Sequence, residues 1–439
     1  MTQHLKPVIA LILSAAILLM GNGLLGLLGP IRADGAGFTR LDIGIMGSFH
    51  FAGLMAGCIL WPRVVAKVGH IRAFAALTAM AAITPLCQAI WTTPVVWWGL
   101  RALNGLCFAG LFMVIETWLT GASTPETRGR VLGVYTMVNL TVVTVGMQLI
   151  GVGDPKSFEL FSLVAILYAL AAVPVALAPQ TPPSPPREAK LRLGWLYSVS
   201  PAAVMGCFFT GIANSSFWSL SPLYAQGAGL SIKEAAVFVT SAVLGGAASQ
   251  WPVGRLSDRL GRRAVAIVVC SVAALAGVLL FTMADKPPRA LLLSLAALYG
   301  TMAFTVYTLC VAHANDLVHK KRAVEVSSGL LLTFSGGAIL GPLAASYLMH
   351  IFGHGGLFLH SAIAHGAIAA VMLLRASQRP TLPIARREPF VPVPKTTPAV
   401  FDLDPRGEGE DKDAPTPIDA KLPPANVARP TPQPEGARP

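Results

Sequence analysis

Away from the ends of the long apolar stretches, the candidate ionisable residues of this sequence are His50, Arg101 and Glu116. A charge inside a hydrocarbon layer is costly, so each is a candidate for binding or for ion coupling. Arg101 and Glu116 share one predicted helix and lie fifteen residues apart, which is roughly 22 Å along a helix axis. They therefore act at two different places. Arg101 is a candidate for binding an anionic group, for tuning a carboxylate, or for a structural hydrogen-bonding role.

Glu116 leaves two roles open. It lies near the end of its predicted helix, where it either carries a coupling proton or pairs with an arginine as a gate. Its candidate partners are Arg128, Arg130, Arg259, Arg262 and Arg263. His50 is more typical of a histidine that packs between helices.

The composition of the chain places these residues in a membrane. Of its 439 residues, 54% are hydrophobic and 12% are charged, whereas soluble domains carry about 25% charged residues. Apolar stretches of roughly 20 residues cross the hydrocarbon core as helices. Twelve are predicted, at about 8–30, 42–62, 73–92, 95–119, 131–151, 157–178, 199–223, 232–253, 264–284, 289–312, 327–349 and 355–375.

The net charge of +12 indicates topology rather than nucleic-acid binding. Lys and Arg concentrate in cytoplasmic loops of membrane proteins. With the N-terminus inside, sixteen of them fall on the cytoplasmic side and six on the other side. This asymmetry predicts that both termini are cytoplasmic and that the number of spans is even.

The two halves of the sequence repeat each other at an offset of 192 residues. Pro30, Ala33, Gly35, Ala36 and Gly37 match Pro222, Ala225, Gly227, Ala228 and Gly229, and Thr39, Asp42 and Asn22 fall on Ser231, Glu234 and Asn214. Duplicated halves are typical of alternating-access carriers that bind their substrate near the midplane. The predicted fold is all-α, with two pseudo-symmetric six-helix bundles at 1–179 and 195–375, a cytoplasmic linker at 180–194 and a disordered Pro-rich tail at 376–439.

A charged motif follows the eighth predicted span. The segment GRLSDRLGRR, residues 254–263, is expected to form a loop, and its spacing resembles the G-x-x-x-D-R-x-G-R-R motif of the major facilitator superfamily. The resemblance implies a latch between neighbouring helices, formed by Gly254, Asp258, Arg259, Gly261, Arg262 and Arg263. The first half lacks the acidic residue, since Ala66 stands at the matching position, so the two gates are expected to differ in strength.

The fourth span supports the same resemblance. Arg101, Asn104 and Gly105 are similar to the R-x-x-Q-G pattern of that superfamily, and the segments around Glu116 and Arg128 resemble its bacterial YcaD-like branch. In the superfamily the first, fourth, seventh and tenth helices line the cavity. The resemblance therefore implies these substrate or coupling candidates: Asn22, Arg101, Asn104, Asn214, Trp218 and Tyr307.

The expected function is secondary active transport of a small solute across the bacterial plasma (inner) membrane by alternating access, with a proton as the coupling ion. The expected partners are that solute, the proton and the lipid bilayer, with no nucleic acid, no cofactor and no metal. The chain is expected to be monomeric and not an enzyme. The alternative is a transporter-like sensor or scaffold that signals through its C-terminal tail. The substrate and the direction of transport do not follow from the sequence.

Overall fold

The structure, a computed structural model, describes residues 2–177, 192–285, 287–318, 322–378, 390–392 and 394–404. Within these ranges the chain forms helices joined by short turns and contains no β-strand. Most of the predicted linker 180–194 and most of the predicted tail 376–439 lie outside the described residues.

Seven helical segments make up the first half of the chain. Their bounds are α1 Thr2–Gly35, α2 Arg40–Val68, α3 His70–Ile90, α4 Pro94–Gly121, α5 Pro125–Gln148, α6 Phe158–Leu170 and α7 Ala172–Leu177. A short 3₁₀ turn, Leu149–Val152, extends α5. Together α6 and α7 form one span, Phe158–Leu177.

Eight helical segments make up the second half. Their bounds are α8 Leu193–Val199, α9 Pro201–Gly227, α10 Ile232–Leu260, α11 Arg262–Thr282, α12 Arg289–Ala303, α13 Val306–Asn315, α14 Ala323–Phe352 and α15 Gly356–Gln378. Together α12 and α13 form one span, Arg289–Asn315, which breaks at Phe304 and Thr305. A bend of 114° separates α8 from α9.

The predicted spans correspond to these helices in order. Among the described helices, eleven are long and apolar enough to cross a membrane, or twelve if α8 and α9 count as one span. The largest difference at any one helix end is at the eighth span, because α10 continues to Leu260. The prediction that residues 254–263 form a loop is therefore wrong. Gly261 alone makes the turn, with φ of 108°, a backbone conformation that glycine adopts without steric penalty.

The two halves pack in the same pattern. In the first half α2 packs on α4, α1 on α5 and α3 on α6; in the second half α10 packs on α12, α9 on α14 and α11 on α15. These pairs correspond span by span. The described part of the chain therefore contains two pseudo-symmetric helix bundles, as the sequence predicts.

The repeat also extends to helix starts and turns. Thr39 and Asp42 form a capping box at the start of α2, and Ser231 and Glu234 form the equivalent box at α10. In such a box the two side chains satisfy each other's free backbone N–H groups. Gly37 and Gly229, at φ of 84° and 89°, make the turns before them. We call this end of the molecule the Gly37/Gly229 end and the other the Gly69/Gly261 end.

The bundles contact each other closely at the Gly37/Gly229 end. The guanidinium of Arg40 donates a hydrogen bond to the carbonyl of Met349, which joins α2 to α14. Gln148 Nε2 donates to Thr240 Oγ1 at 2.8 Å, which joins α5 to α10. A Cβ on Gly44 would overlap Ser346, so α2 and α14 approach as closely as small residues permit.

Candidate functional site

Glu116 is fully buried on α4 and accepts hydrogen bonds from three hydroxyl groups. Tyr135 on α5 donates to Oε1 at 3.1 Å. Thr396 Oγ1 also donates to Oε1, and Thr397 Oγ1 donates to Oε2. A buried carboxyl group needs such partners, because leaving it without them costs free energy. The two threonines come from the C-terminal tail, which the sequence predicts to be disordered.

Part of that tail instead packs between the two bundles. We call residues 390–392 and 394–404 the docked segment. Its 3₁₀ turn, Pro398–Leu403, packs against α4, α5 and α14. The side chains of Thr397, Val400 and Leu403 are 0% exposed, and Phe401 is 2% exposed. Burial of these apolar groups explains the order: each fully buried Val, Leu or Phe contributes roughly 1.5–3 kcal/mol.

Lys395 of the docked segment lies among three aromatic rings, which we call the aromatic cage. Its Nζ is 5.4 Å from the ring centroid of Tyr307, 5.5 Å from that of Phe334 and 6.0 Å from that of Phe304. A cation within about 6 Å of a ring centroid is attracted by the negative face of the ring. The three rings of the cage therefore bind the ammonium group together.

The break between α12 and α13 builds the cage. Phe304 and Thr305 lie at the break, and Tyr307 follows in the first turn of α13. Trp218 on α9 stacks on Phe304, with ring centroids 5.9 Å apart and planes 12° apart. Two predicted candidates thus lie at one site: Tyr307 is a ring of the cage, and Trp218 packs against another of its rings. Its other two rings were not predicted as site residues.

The charged motif forms a cluster where α10, α11 and α13 meet. Arg262 pairs with Asp258 and donates from Nε to Asp316 Oδ2 at 3.1 Å. The side chains of Arg262 and Asp316 are both 3% exposed. Arg263 is buried and donates to His313 Nε2 at 3.4 Å and to the Arg375 carbonyl at 3.3 Å. Arg259 is exposed. The motif therefore ties together the ends of four helices of the second bundle.

Gly254, at the other end of the motif, holds the docked segment. A Cβ at this position would overlap the ring of Phe390. The backbone N–H of Phe390 donates to Asp258 Oδ2 at 3.3 Å. Through Phe390 and the two threonines the docked segment contacts Asp258 of one bundle and Glu116 of the other.

Arg101 and Asn104 lie apart from Glu116, closer to the start of α4. Arg101 is 9% exposed. Its Nε and Nη1 atoms are buried and have no hydrogen-bond partner among the described residues. Asn104 Nδ2 donates to Thr84 Oγ1 at 3.3 Å, so this residue joins α4 to α3.

The repeat-matched asparagines differ in environment. Asn214 is 1% exposed, and neither its Oδ1 nor its Nδ2 has a partner among the described residues. Asn22 is half-buried on α1. Unsatisfied buried amides have free hydrogen-bonding capacity for a ligand or for water.

A profile described as "Major Facilitator Superfamily" matches residues 11–330 and 234–412 of the chain. Because this match covers most of the sequence, the chain belongs to the Major Facilitator Superfamily of membrane transporters. The match extends into the docked segment.

Relatives of similar length support this family. The chain is 25% identical over 391 residues to the "Uncharacterized MFS-type transporter YcaD" of Salmonella heidelberg (strain SL476), which covers 88% of this chain and 100% of that protein. It is 26% identical over 391 residues to the protein of the same name in Escherichia coli O45:K1 (strain S88 / ExPEC), with the same coverage. The YcaD-like resemblance is thereby confirmed.

Three solved structures share the fold. The nucleoside transporter NupG has a TM-score of 0.70 at 15% identity and covers 85% of this chain and 99% of its own. A bacterial homolog of the human lysosomal transporter Spinster, in an inward-facing and occupied conformation, has a TM-score of 0.68 at 14% identity, with coverage of 87% and 97%. A D-xylose-proton symporter has a TM-score of 0.65 at 13% identity, with coverage of 83% and 96%.

Proposed function

We propose that this protein is a secondary active transporter that moves a small solute by alternating access and couples the movement to protons through Glu116. The observation that carries the proposal is the position of Glu116, a fully buried carboxyl group between the bundles whose hydrogen bonds come from hydroxyl groups. A hydroxyl donor can leave the carboxyl group during a transport cycle without leaving an unpaired charge behind on the donor, as an arginine partner would.

Alternating access requires an interface that closes at one end while it opens at the other. The contacts of α2 with α14 and of α5 with α10 hold the Gly37/Gly229 end together. Toward the Gly69/Gly261 end, the docked segment occupies the space between α4 and α14. This asymmetry supports a state that is open toward the Gly69/Gly261 end. The likeness to an inward-facing Spinster homolog is consistent with that state.

The orientation rests on charge. The Gly69/Gly261 end carries the motif arginines, and the topology predicted from the sequence assigns sixteen Lys and Arg to that side and six to the other. Such an excess marks the cytoplasmic side. We therefore place both termini in the cytoplasm. We further propose that the chain is a monomer in a bacterial inner membrane.

The proton-coupling role is tested with Glu116→Gln in proteoliposomes, and Glu159→Gln, at an exposed position on α6, is the matched control. The assay offers a panel of labelled solutes: a sugar, a nucleoside, an amino acid and choline. Counterflow exchange needs no net proton movement, so we expect it to survive in Glu116→Gln while accumulation driven by a pH gradient is lost. Loss of both processes, or of neither, would contradict the coupling role.

The sensor alternative is distinguished by disrupting the docked segment. Val400→Asp places a carboxylate at a position that is 0% exposed. A transporter is expected to keep solute flux in this variant. A protein that acts only as a tail-dependent sensor shows no flux in either form.

A further inference from the structure

We infer that the docked segment is an intramolecular competitor of the transported solute, and that the aromatic cage together with Glu116 forms a binding site for an organic cation that carries a hydrogen-bond donor. This inference rests on the proposed transport function. It adds a substrate class and a regulatory element to that function.

The docked segment reaches the part of the molecule where carriers of this architecture bind their substrates. Tyr307 and Phe334 lie near the middle of their spans, Arg289–Asn315 and Ala323–Phe352, and the adjacent break in the first of these spans is at Phe304 and Thr305. Broken helices near the midplane are typical of transporter binding sites. Because Lys395 Nζ lies inside the cage, a solute cannot bind there while the segment is docked.

The cage favours a cation that is weakly hydrated. Three aromatic rings surround Lys395 Nζ at 5.4 to 6.0 Å. A primary ammonium group is strongly hydrated and loses that hydration on burial. Burial accordingly lowers the pKa of Lys395 to about 8. A quaternary ammonium group has no N–H to satisfy and is the cation that aromatic cages recognise.

Glu116 supplies the second half of the site. Its two carboxyl oxygens accept hydrogen bonds from Thr396 and Thr397, which follow Lys395 directly in the sequence. The segment thus offers a cation and, next to it, two hydroxyl donors. A solute with a cationic head and a hydroxyl group offers the same two kinds of contact.

The docked segment also blocks movement of the bundles. Phe390 contacts Gly254 and Asp258 of the second bundle, whereas Thr396 and Thr397 contact Glu116 of the first. Closure of this end requires the helices to move together into the space that the segment fills. The segment must therefore leave before the transporter completes its cycle.

The experiment measures acylation of Lys395 in the purified full-length protein by a water-soluble amine-reactive ester at pH 10.5, where at least half of the side chains carry the neutral, reactive amine whether the segment is docked or free. Acylation is read by mass spectrometry of the peptide. The probe is choline, and the control probe is 3,3-dimethylbutan-1-ol, a neutral molecule of the same shape with the same hydroxyl group. We expect choline to increase the acylation rate at least fivefold in a saturable manner, because it displaces Lys395 into solvent. The neutral molecule should leave the rate unchanged.

Variants of the full-length chain test the site itself. Phe334→Leu should raise the choline concentration for half-maximal effect at least tenfold. Val400→Asp and the milder double variant Thr396→Ala/Thr397→Ala should increase Lys395 acylation without choline and tighten choline binding, measured by calorimetry. Val427→Asp, in the same tail but outside the docked segment, is the matched control.

The inference is overturned if choline leaves Lys395 acylation unchanged, or if the neutral molecule acts equally well. It is also overturned if both undocking changes leave acylation and choline affinity at the wild-type values. These measurements are made in detergent and need no flux. Absence of transport in proteoliposomes with these effects intact would overturn the proposed function and leave the competition standing.

Discussion

Thr397 donates a hydrogen bond to Glu116 across 281 positions of the chain. Both groups are fully buried, with exposures of 0%. The pair joins the C-terminal tail to the one carboxyl group that lies inside the fourth span. The position of the tail therefore determines whether Glu116 is accessible.

Gly254→Ala should release the docked segment. An added methyl group overlaps the Phe390 ring, so either the Phe390 side chain must move away from α10 or the backbone of the docked segment must shift. We expect Lys395 to be acylated several times faster than in the wild type. Gly133→Ala is the matched control, because a Cβ there meets nothing within 4 Å.

The double variant Gly254→Ala/Phe390→Ala tests whether the faster acylation comes from the clash between the added methyl group and the Phe390 ring. Removing the ring removes the clash, so the methyl group should add nothing to the effect of Phe390→Ala alone. If the two changes increase the acylation rate independently, Phe390 does not rest on Gly254 in solution.

Asp316→Asn should destabilise the second bundle more than Asp258→Asn. The Asp316 side chain is 3% exposed and that of Asp258 is 31% exposed. Removing one partner of a buried ion pair costs roughly 3–5 kcal/mol, whereas the loss of the partly exposed Asp258 carboxylate costs less, because water solvates it and Arg262 keeps its buried partner Asp316. Thermal unfolding in detergent should show a clearly lower midpoint for Asp316→Asn. Equal midpoints for the two variants would show that Arg262 does not depend on Asp316.

Choline binding should weaken as the pH rises above 8. Burial lowers the pKa of Lys395 to about 8 from 10.5, so docking releases a proton between these two values. Docking is then favoured by high pH, by about tenfold per pH unit in that window, and is independent of this group below pH 8. Choline does not titrate, so its apparent dissociation constant should change no more than about twofold from pH 7 to 8 and should be roughly 15-fold larger at pH 9.5 than at pH 8.

Lys395→Met is the control for this pH dependence. Other titratable groups act on Lys395, namely Cys207 on α9, Cys310 on α13 and His365 on α15, and all of them remain in the variant. The weakening above pH 8 should therefore disappear in Lys395→Met. If it persists there, a different group is responsible.

The fold could be predicted from the sequence because its signals are local. Apolar stretches of membrane length locate the spans, and the offset of 192 residues pairs Thr39 with Ser231 at helix starts that the structure shows to be equivalent. The end of α10 was misplaced because polar residues such as Asp258 and Arg259 suggested a loop. A helix that extends beyond the bilayer carries such residues equally well.

Two of the three partners of Glu116 could not be predicted, because they lie about 280 residues away in a segment whose proline content indicates disorder. The sequence predicts an arginine partner or a proton, and the structure places Tyr135, Thr396 and Thr397 on the carboxyl group. One local signal was present. Val400, Phe401 and Leu403 form a short apolar cluster in the Pro-rich tail, and a contiguous apolar surface indicates an interaction site.

Transport itself is tested most directly by uptake into proteoliposomes that contain the wild-type protein, with and without an imposed pH gradient, over the same panel of labelled solutes. We expect accumulation of at least one solute that depends on the gradient, with choline favoured and the rate increased in Val400→Asp. No gradient-dependent uptake of any solute, in either the wild type or Val400→Asp, would contradict the proposed transport function.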